Sequence, residues 1–222
     1  MTTAKRVLRN ITAGIVALNA AWALAAEEKI PAGTYTIEKS HASLIFKVDH
    51  LGFSNYTARF KNFDATLQFD PNNPGAASVV ATVDVSSLET DYPDPKKHDF
   101  NKQLLGAEWF DAAKFPKMTY RSKKVTVSNG NRLHIDGELE MHGIKQPVVL
   151  EATYNGGYAG HPMDPHARIG FSAQGSLQRS LFGIAYGVPE AGSKMGVGDN
   201  VQIIIEAEFS GPAWAGAKTA AK

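Results

Sequence analysis

The 222-residue chain contains no cysteine. That absence removes a disulfide framework, a thiolate zinc site, an iron–sulfur cluster and a cysteine nucleophile together, so any chemistry must rest on other groups. Charge of one sign is equally scarce. The 23 basic and 22 acidic side chains leave a formal net charge of +1, too small a surplus to hold a polyanion, and nucleic acid is excluded as an expected partner. Beyond residue 26 no apolar run is long enough to cross a bilayer, which argues against an integral membrane protein. A Walker-type Gly-Lys-Ser/Thr is missing too, so the glycine spacing of residues 187–198 reads as a flexible loop. Hydrophobic residues at 43% and charged residues at 20% mark a globular chain, of a length that suits one domain.

The amino terminus differs from the rest. Lys5, Arg6 and Arg9 form a basic start, residues 11–24 carry no charge, and Ala23 and Ala25 put small residues at the two positions a signal peptidase reads. The expectation is a cleaved secretory signal peptide over residues 1–25 and a single domain over 26–222. Cleavage takes away three cations and no anion, leaving 20 basic against 22 acidic residues. Export of a cysteine-free chain points to a bacterial periplasm.

From there the chain alternates apolar and polar residues in run after run. Leu44, Phe46 and Val48 share one face; so do Phe63, Ala65, Leu67 and Phe69, then Val79, Ala81, Val83 and Val85. Later sets are Leu133, Ile135, Gly137, Leu139 and Met141; Val148, Leu150, Ala152 and Tyr154; Ile169, Phe171, Ala173, Gly175 and Leu177; and Val201, Ile203, Ile205, Ala207 and Phe209. Tyr35/Ile37 and Met118/Tyr120 begin two more. Spacing two marks half-buried strands, and short Asn/Gly/Pro turns between them make neighbours antiparallel. Residues 99–115 break the pattern and predict two short helical pieces, placed where a lid or plug would sit. A two-sheet sandwich and a closed barrel of about eight strands both satisfy the alternation. Glycine and alanine among large aromatics on the inward faces favour the barrel, because small residues leave room inside.

No constellation specifies catalysis. His161, Asp164 and His166 have the donor types of a divalent-metal site, but two prolines stiffen that loop and no second cluster completes the ligand set. His134 and His142 are expected on the polar side of their strand, and Ser40-His41 reads as turn hydrogen bonding. Aromatics remain: Phe46, Phe60, Phe63, Phe69, Trp109, Phe110, Phe115, Tyr120, Phe171 and Phe182. A tube lined by these suits an apolar ligand, since burying apolar surface makes no directional demand.

Ser40-His41 before Phe46/Val48/His50, Arg59-Phe60-Lys61-Asn62-Phe63, Glu108-Trp109-Phe110-Asp111, Gly137 to Gly143, Arg168-Ile169-Gly170-Phe171 and Arg179-Ser180-Leu181-Phe182-Gly183 occur in the order of one family. Over about Tyr35 to Phe209 the chain resembles the YceI-like polyisoprenoid-binding proteins. The resemblance implies an all-β, antiparallel, lipocalin-like barrel, exported to the periplasm, that holds a long isoprenoid chain (a polyprenyl phosphate or an isoprenoid quinone) in an elongated pocket. It carries over no catalytic residues, and the bound lipid is the one ligand expected in place of a cofactor; the proline-bounded His161–His166 loop predicts no required metal, and a homodimer is a possible partner state. Residues expected at the ligand are Phe46, Val48, His50, Phe60, Phe110, Phe115, Tyr120, Gly137, Met141, Phe171, Ala173, Arg179 and Phe182, with Arg179 as a cation for the headgroup. The competing functions are an enzyme that uses the cavity, with His50 or His41 as base, and a stress-response adaptor that carries no lipid.

Overall fold

Strands follow one another with almost no helix between them. The computed structural model describes residues 29–214, and the expected signal peptide lies outside the described residues. In order come β1 (Gly33–His50), β2 (Ser54–Phe60), β3 (Phe63–Phe69), β4 (Ser78–Asp84), β5 (Leu88–Glu89), α1 (Phe100–Leu104), β6 (Lys117–Ser128), β7 (Arg132–Met141), β8 (Ile144–Tyr158), β9 (His166–Gln178) and β10 (Val197–Ala213). All pairings are antiparallel, and β10 returns to β1, from Thr36↔Ser210 to His50↔Val197. That pairing closes the sheet and leaves no long free edge among the described residues.

The ten segments make eight staves. β2 pairs with the second half of β1, and β3 with its first four residues. β5 pairs with β2, and β4 with β3. Thus β2–β3 is one stave broken at Lys61-Asn62, and β4–β5 is its neighbour, broken at the 3₁₀ turn Val85–Ser87. The two breaks satisfy each other. Lys61 N–H donates to the Ser87 carbonyl at 3.1 Å, Asp84 N–H to the Asn62 carbonyl at 3.0 Å, and the Asp84 carboxylate accepts from Ser86 N–H at 3.0 Å.

Two further strands carry extra residues that reverse which side chains face inward. β1 contains both Tyr35/Ile37 and Leu44/Phe46/Val48, which the alternation alone divides into two strands. Between Ile37↔Phe209 and Ala42↔Ala207 it inserts three more residues than β10 does. An odd insertion switches the inward positions from odd to even numbers, as a β-bulge does. β6 repeats the device with one extra residue between Ser122 and Lys124, so Met118, Tyr120 and Val125 all reach the interior.

An up-and-down barrel sorts its connections by end. One end, the loop end, carries residues 51–53, 90–116, 142–143 and 179–196. The other carries 70–77, 129–131, 159–165 and the start of β1. At that second end rings meet rings: Phe69 lies 6.1 Å from Tyr35, 5.9 Å from Tyr154 and 6.1 Å from Phe171. The expected helical pair over 99–115 is corrected here. Only Phe100–Leu104 is helical, started by the Asp99 side chain accepting from Lys102 N–H at 2.9 Å. Residues 105–115 form successive turns, with Phe110 N–H bonded to the Leu104 carbonyl and Asp111 N–H to that of Gly106.

Candidate functional site

The inward faces do not meet across the barrel axis. Between them lies a cavity of about 510 Å³, walled almost wholly by apolar side chains. It extends from His50, Tyr92 and Val197 at the loop end to Pro74 and Ser78 at the other. A volume of this order is that of a small-molecule pocket. Phe46, Phe60 and Phe110 form one aromatic group on the wall, with centroids 5.6 to 6.3 Å apart. Phe171 and Phe69 form the second wall group, nearer the opposite end, and Tyr154 packs on both rings.

Polar atoms on this wall are mostly turned onto backbone. The Tyr120 hydroxyl donates toward the Ile135 and Val148 carbonyls, each at 3.3 Å, and burial pushes its ionisation up to about 12. Tyr56 donates to the Thr90 carbonyl at 3.1 Å, and burial raises its pKa as well. Both phenols therefore stay neutral at physiological pH, with their hydroxyls committed to the protein. The Trp109 Nε1–H is buried and has no acceptor among the described residues.

Among the described residues Arg179 is the one buried cation of the wall. Its Nε donates to the Gly198 carbonyl at 2.9 Å, Nη1 to those of Ile184 at 2.9 Å and Tyr186 at 2.8 Å, and Nη2 to that of Val197 at 2.7 Å. Four of its five donors are thereby spent on carbonyls of the 183–196 loop and of the first two residues of β10. The guanidinium Cζ lies over the Trp109 ring, 5.3 Å from the centroid. Burial lowers its pKa, and Asp199 opposes that shift; the Asp199 carboxylate itself accepts from Ser180 N–H and Oγ–H, each at 2.8 Å. The geometry makes Arg179 a loop organiser, whereas the sequence suggested a rim cation free for a headgroup.

Of the residues expected at the ligand, Phe46, Val48, His50, Phe60, Phe110, Tyr120, Met141, Phe171, Ala173 and Arg179 line the cavity. Three do not, and each has a physical reason. Gly137 is covered: a Cβ there would lie 2.2 Å from the Tyr120 ring, which lies across the glycine and fills the place of its missing side chain. Phe115 packs under the β7–β8 turn, 4.5 Å from the His142 ring. Phe182 is fully buried in the 3₁₀ turn Arg179–Phe182, and its carbonyl accepts from His142 Nδ1 at 3.0 Å.

That bond corrects the expectation of a surface His142. A carbonyl only accepts, so Nδ1 carries a proton, and the buried Nε2 atom has no hydrogen-bond partner among the described residues. His134 does lie on the surface, with Nδ1 on Glu151 at 2.5 Å and Nε2 near Asp136 at 3.3 Å. The His161–His166 loop uses its acid structurally, since Asp164 accepts from Arg168 Nε at 2.9 Å and from the Tyr158 hydroxyl at 2.5 Å. No group of three or more metal-ligating side chains forms among the described residues. His41 faces Glu208 at 3.6 Å on the exterior.

Several wall residues escaped the sequence reading. Tyr56 stands at spacing two from Ala58 and Phe60 and was legible by the same alternation. Phe100 and Leu104, one helical turn apart, were legible only once α1 was placed. Tyr92 lies in irregular chain and has no periodic signal, whereas Val197 opens β10 in phase with Val201 and Ile203, with the polar Asp199 interrupting the apolar set.

Comparison with known proteins gives this architecture a context. Residues 35–209 match the YceI-like domain. A protein named YceI from Salmonella arizonae is 34% identical over 206 residues, covering 92% of this chain and 97% of that one. Among solved structures, Burkholderia cenocepacia BcnA superposes with a TM-score of 0.65 at 24% identity, over 78% of this chain and 98% of BcnA. A polyisoprenoid binding domain from Saccharophagus degradans, implicated in plant cell wall breakdown, superposes with a TM-score of 0.56 at 11% identity, over 82% of this chain and 100% of that domain. At these identities the two structures establish the fold alone.

Proposed function

This chain belongs to the YceI-like family, and from that premise we propose that it is an exported carrier that holds a long isoprenoid chain inside its barrel. The observation that carries the reading is the cavity wall. A lumen of about 510 Å³ with polar side chains deep in its wall committed to backbone carbonyls offers a ligand apolar contact along its length and few fixed hydrogen-bonding points. Such a wall rewards apolar surface area, at about 25 cal/mol per Å² removed from water, over any particular polar group. A repetitive hydrocarbon chain meets that demand better than a compact polar metabolite. The polyisoprenoid binding domain named above has the same architecture, which agrees with the reading. Export follows from the expected signal peptide, and the periplasm is the compartment proposed.

We read the protein as a binder, not a catalyst. His50 reaches the cavity only at its mouth, and no side-chain hydrogen bond among the described residues orients it as a base. The deciding experiment is mass spectrometry of organic extracts from natively purified protein. A bound lipid whose mass series steps by isoprene units is expected; protein that is clean, or that carries only fatty acyl lipids, would sink the isoprenoid reading. Intact mass of the exported form should correspond to cleavage after Ala25, and a species retaining residues 1–25 would contradict export by this signal.

A further inference from the structure

Five large apolar side chains among the described residues are more than half exposed: Met163 at 92%, Phe53 at 84%, Met195 at 75%, and Leu181 and Tyr186 at 51% each. Four of the five stand on the loop end, which also holds His50, Tyr92 and Val197 of the cavity mouth. The two most exposed of these four are joined. Leu51 N–H donates to the Gly196 carbonyl at 2.9 Å, which ties the β1–β2 turn bearing Phe53 to the 187–196 loop bearing Met195. A Cβ on Gly52 would lie 2.8 Å from Lys194 Cδ, so the lysine stem lies along that turn. Immediately beneath, His50 pairs with Val197, and both face the mouth.

We propose that Phe53, Lys194 and Met195 dock the loop end onto a phospholipid bilayer, so that apolar cargo passes between membrane and barrel without crossing water. The proposal rests on the carrier reading above. Its chemistry is that of an interfacial anchor: an aromatic ring and a thioether enter the acyl boundary, while a lysine between them keeps its stem apolar and its ammonium at the level of the phosphates. Lys194 is exposed and has no carboxylate within ion-pair distance among the described residues, which leaves its charge for an anionic partner. A second protein fits less well. A stable protein interface buries about 800 Å² per side, whereas an aromatic side chain offers roughly 150–250 Å², so these two loop tips fall well short. The cargo also argues for a bilayer, because a chain that prefers this lumen is itself dissolved in lipid.

Flotation of the full chain with phosphatidylcholine vesicles, with and without phosphatidylglycerol, tests the proposal. Wild-type protein should float with the vesicles. Phe53→Ser combined with Met195→Ser should lower the bound fraction about tenfold, since most of the inserted apolar area is gone. Lys194→Gln should lower it about threefold, and only where phosphatidylglycerol is present. Met163→Ser, at the opposite end, should leave it unchanged. The proposal is overturned if wild-type protein stays at the bottom of the gradient, if the double variant floats as wild type does, or if Met163→Ser loses as much. It is also overturned if light scattering shows a dimer that the double variant loses while flotation persists, which would assign the tips to a second copy. Uptake of a detergent-dispersed fluorescent polyprenyl analogue, measured without vesicles, separates the two readings. The double variant should bind it normally. Failure of wild-type uptake alongside normal flotation would remove the carrier reading and leave the docking.

Discussion

The two ends of the barrel are built by different physics. At the end holding Tyr35 and Phe69, side chains of regular strands pack directly on one another, and Tyr35, Leu67, Phe69, Ile169 and Phe209 are all buried. At the loop end, irregular chain over 90–116 and 179–196 covers the lumen and is held by polar clips. Asn101 accepts from Thr90 N–H and Oγ–H and donates to Glu89 at 3.2 Å, which pins α1 to β5. Arg179 gathers the 183–196 loop and the start of β10 onto itself by their carbonyls. Ring packing is spread over many weak contacts and yields only with the fold. A clip depends on a few directional bonds, so its segment opens at a local cost. On the proposed carrier reading, the loop end is therefore where cargo would enter while the rest of the barrel stays closed.

Removing Arg179 is the most severe way to break this contrast. Arg179→Ala should cost about 3–5 kcal/mol, because one buried and three part-buried carbonyls lose charged donors at once. Arg179→Lys should recover little, since an ammonium lacks the planar fork. Urea unfolding measures both. An unchanged midpoint with an altered preference between phosphorylated and unphosphorylated polyprenols would restore Arg179 to a headgroup role.

A paired truncation sharpens the comparison. Phe69→Ala, in the buried ring cluster, should cost about 3–4 kcal/mol. Phe110→Ala, in the half-buried lid, should cost about 1–2 kcal/mol and speed ligand release more than Phe69→Ala does. Equal stability losses, or faster release from the Phe69 variant, would show that the two ends are alike.

Smaller effects separate two small residues that look alike in sequence. Ala173 faces the lumen, so Ala173→Phe should leave stability within about 1 kcal/mol while apolar ligand affinity drops about tenfold or more. At Gly137 the Tyr120 ring occupies the place of a Cβ. Gly137→Leu should therefore cost about 1–3 kcal/mol by overpacking and displacing that ring. Melting of delipidated protein and titration of a fluorescent polyprenyl analogue distinguish them. Loss of stability in both variants, with unaltered titration, would eliminate the internal ligand space.

The least effect belongs to the exterior. The His134 pKa is raised, first by its hydrogen bond to Glu151 and further by Asp136. A raised folded value means that the protonated ring favours the folded state. Its contribution is complete below the unfolded value of about 6.5 and fades as pH climbs through the higher folded value. NMR titration should place the His134 midpoint above 6.5, and Glu151→Gln should bring it down. A midpoint unmoved by that substitution would show that the pair does not form in solution.

Much of the fold was legible in local alternation. The inward sets of β3, β7 and β10 could be read residue by residue, because spacing two survives wherever a strand is straight. It could not be read across Glu38–His41 or near Lys123, where inserted residues reverse the inward positions and one strand looks like two. Three candidate site residues failed for a related reason. Alternation places Gly137 on the inner face, but only the neighbouring strand shows that Tyr120 covers it. Composition puts Phe115 and Phe182 among the aromatics, but only the β7–β8 turn and His142 show where they pack.

Residue type and short-range period were enough for an all-β antiparallel chain, the apolar character of its inward faces and the absence of thiol chemistry; the choice of a closed barrel over a two-sheet sandwich rests on β10 pairing with β1. Tertiary structure alone decided which small residues border open space, that Arg179 spends its charge on carbonyls, and that Phe53 and Met195 come together beside the mouth. Those facts arise from chain segments distant in sequence that meet only when β10 closes on β1, and a local pattern carries no information about a partner it has not yet met.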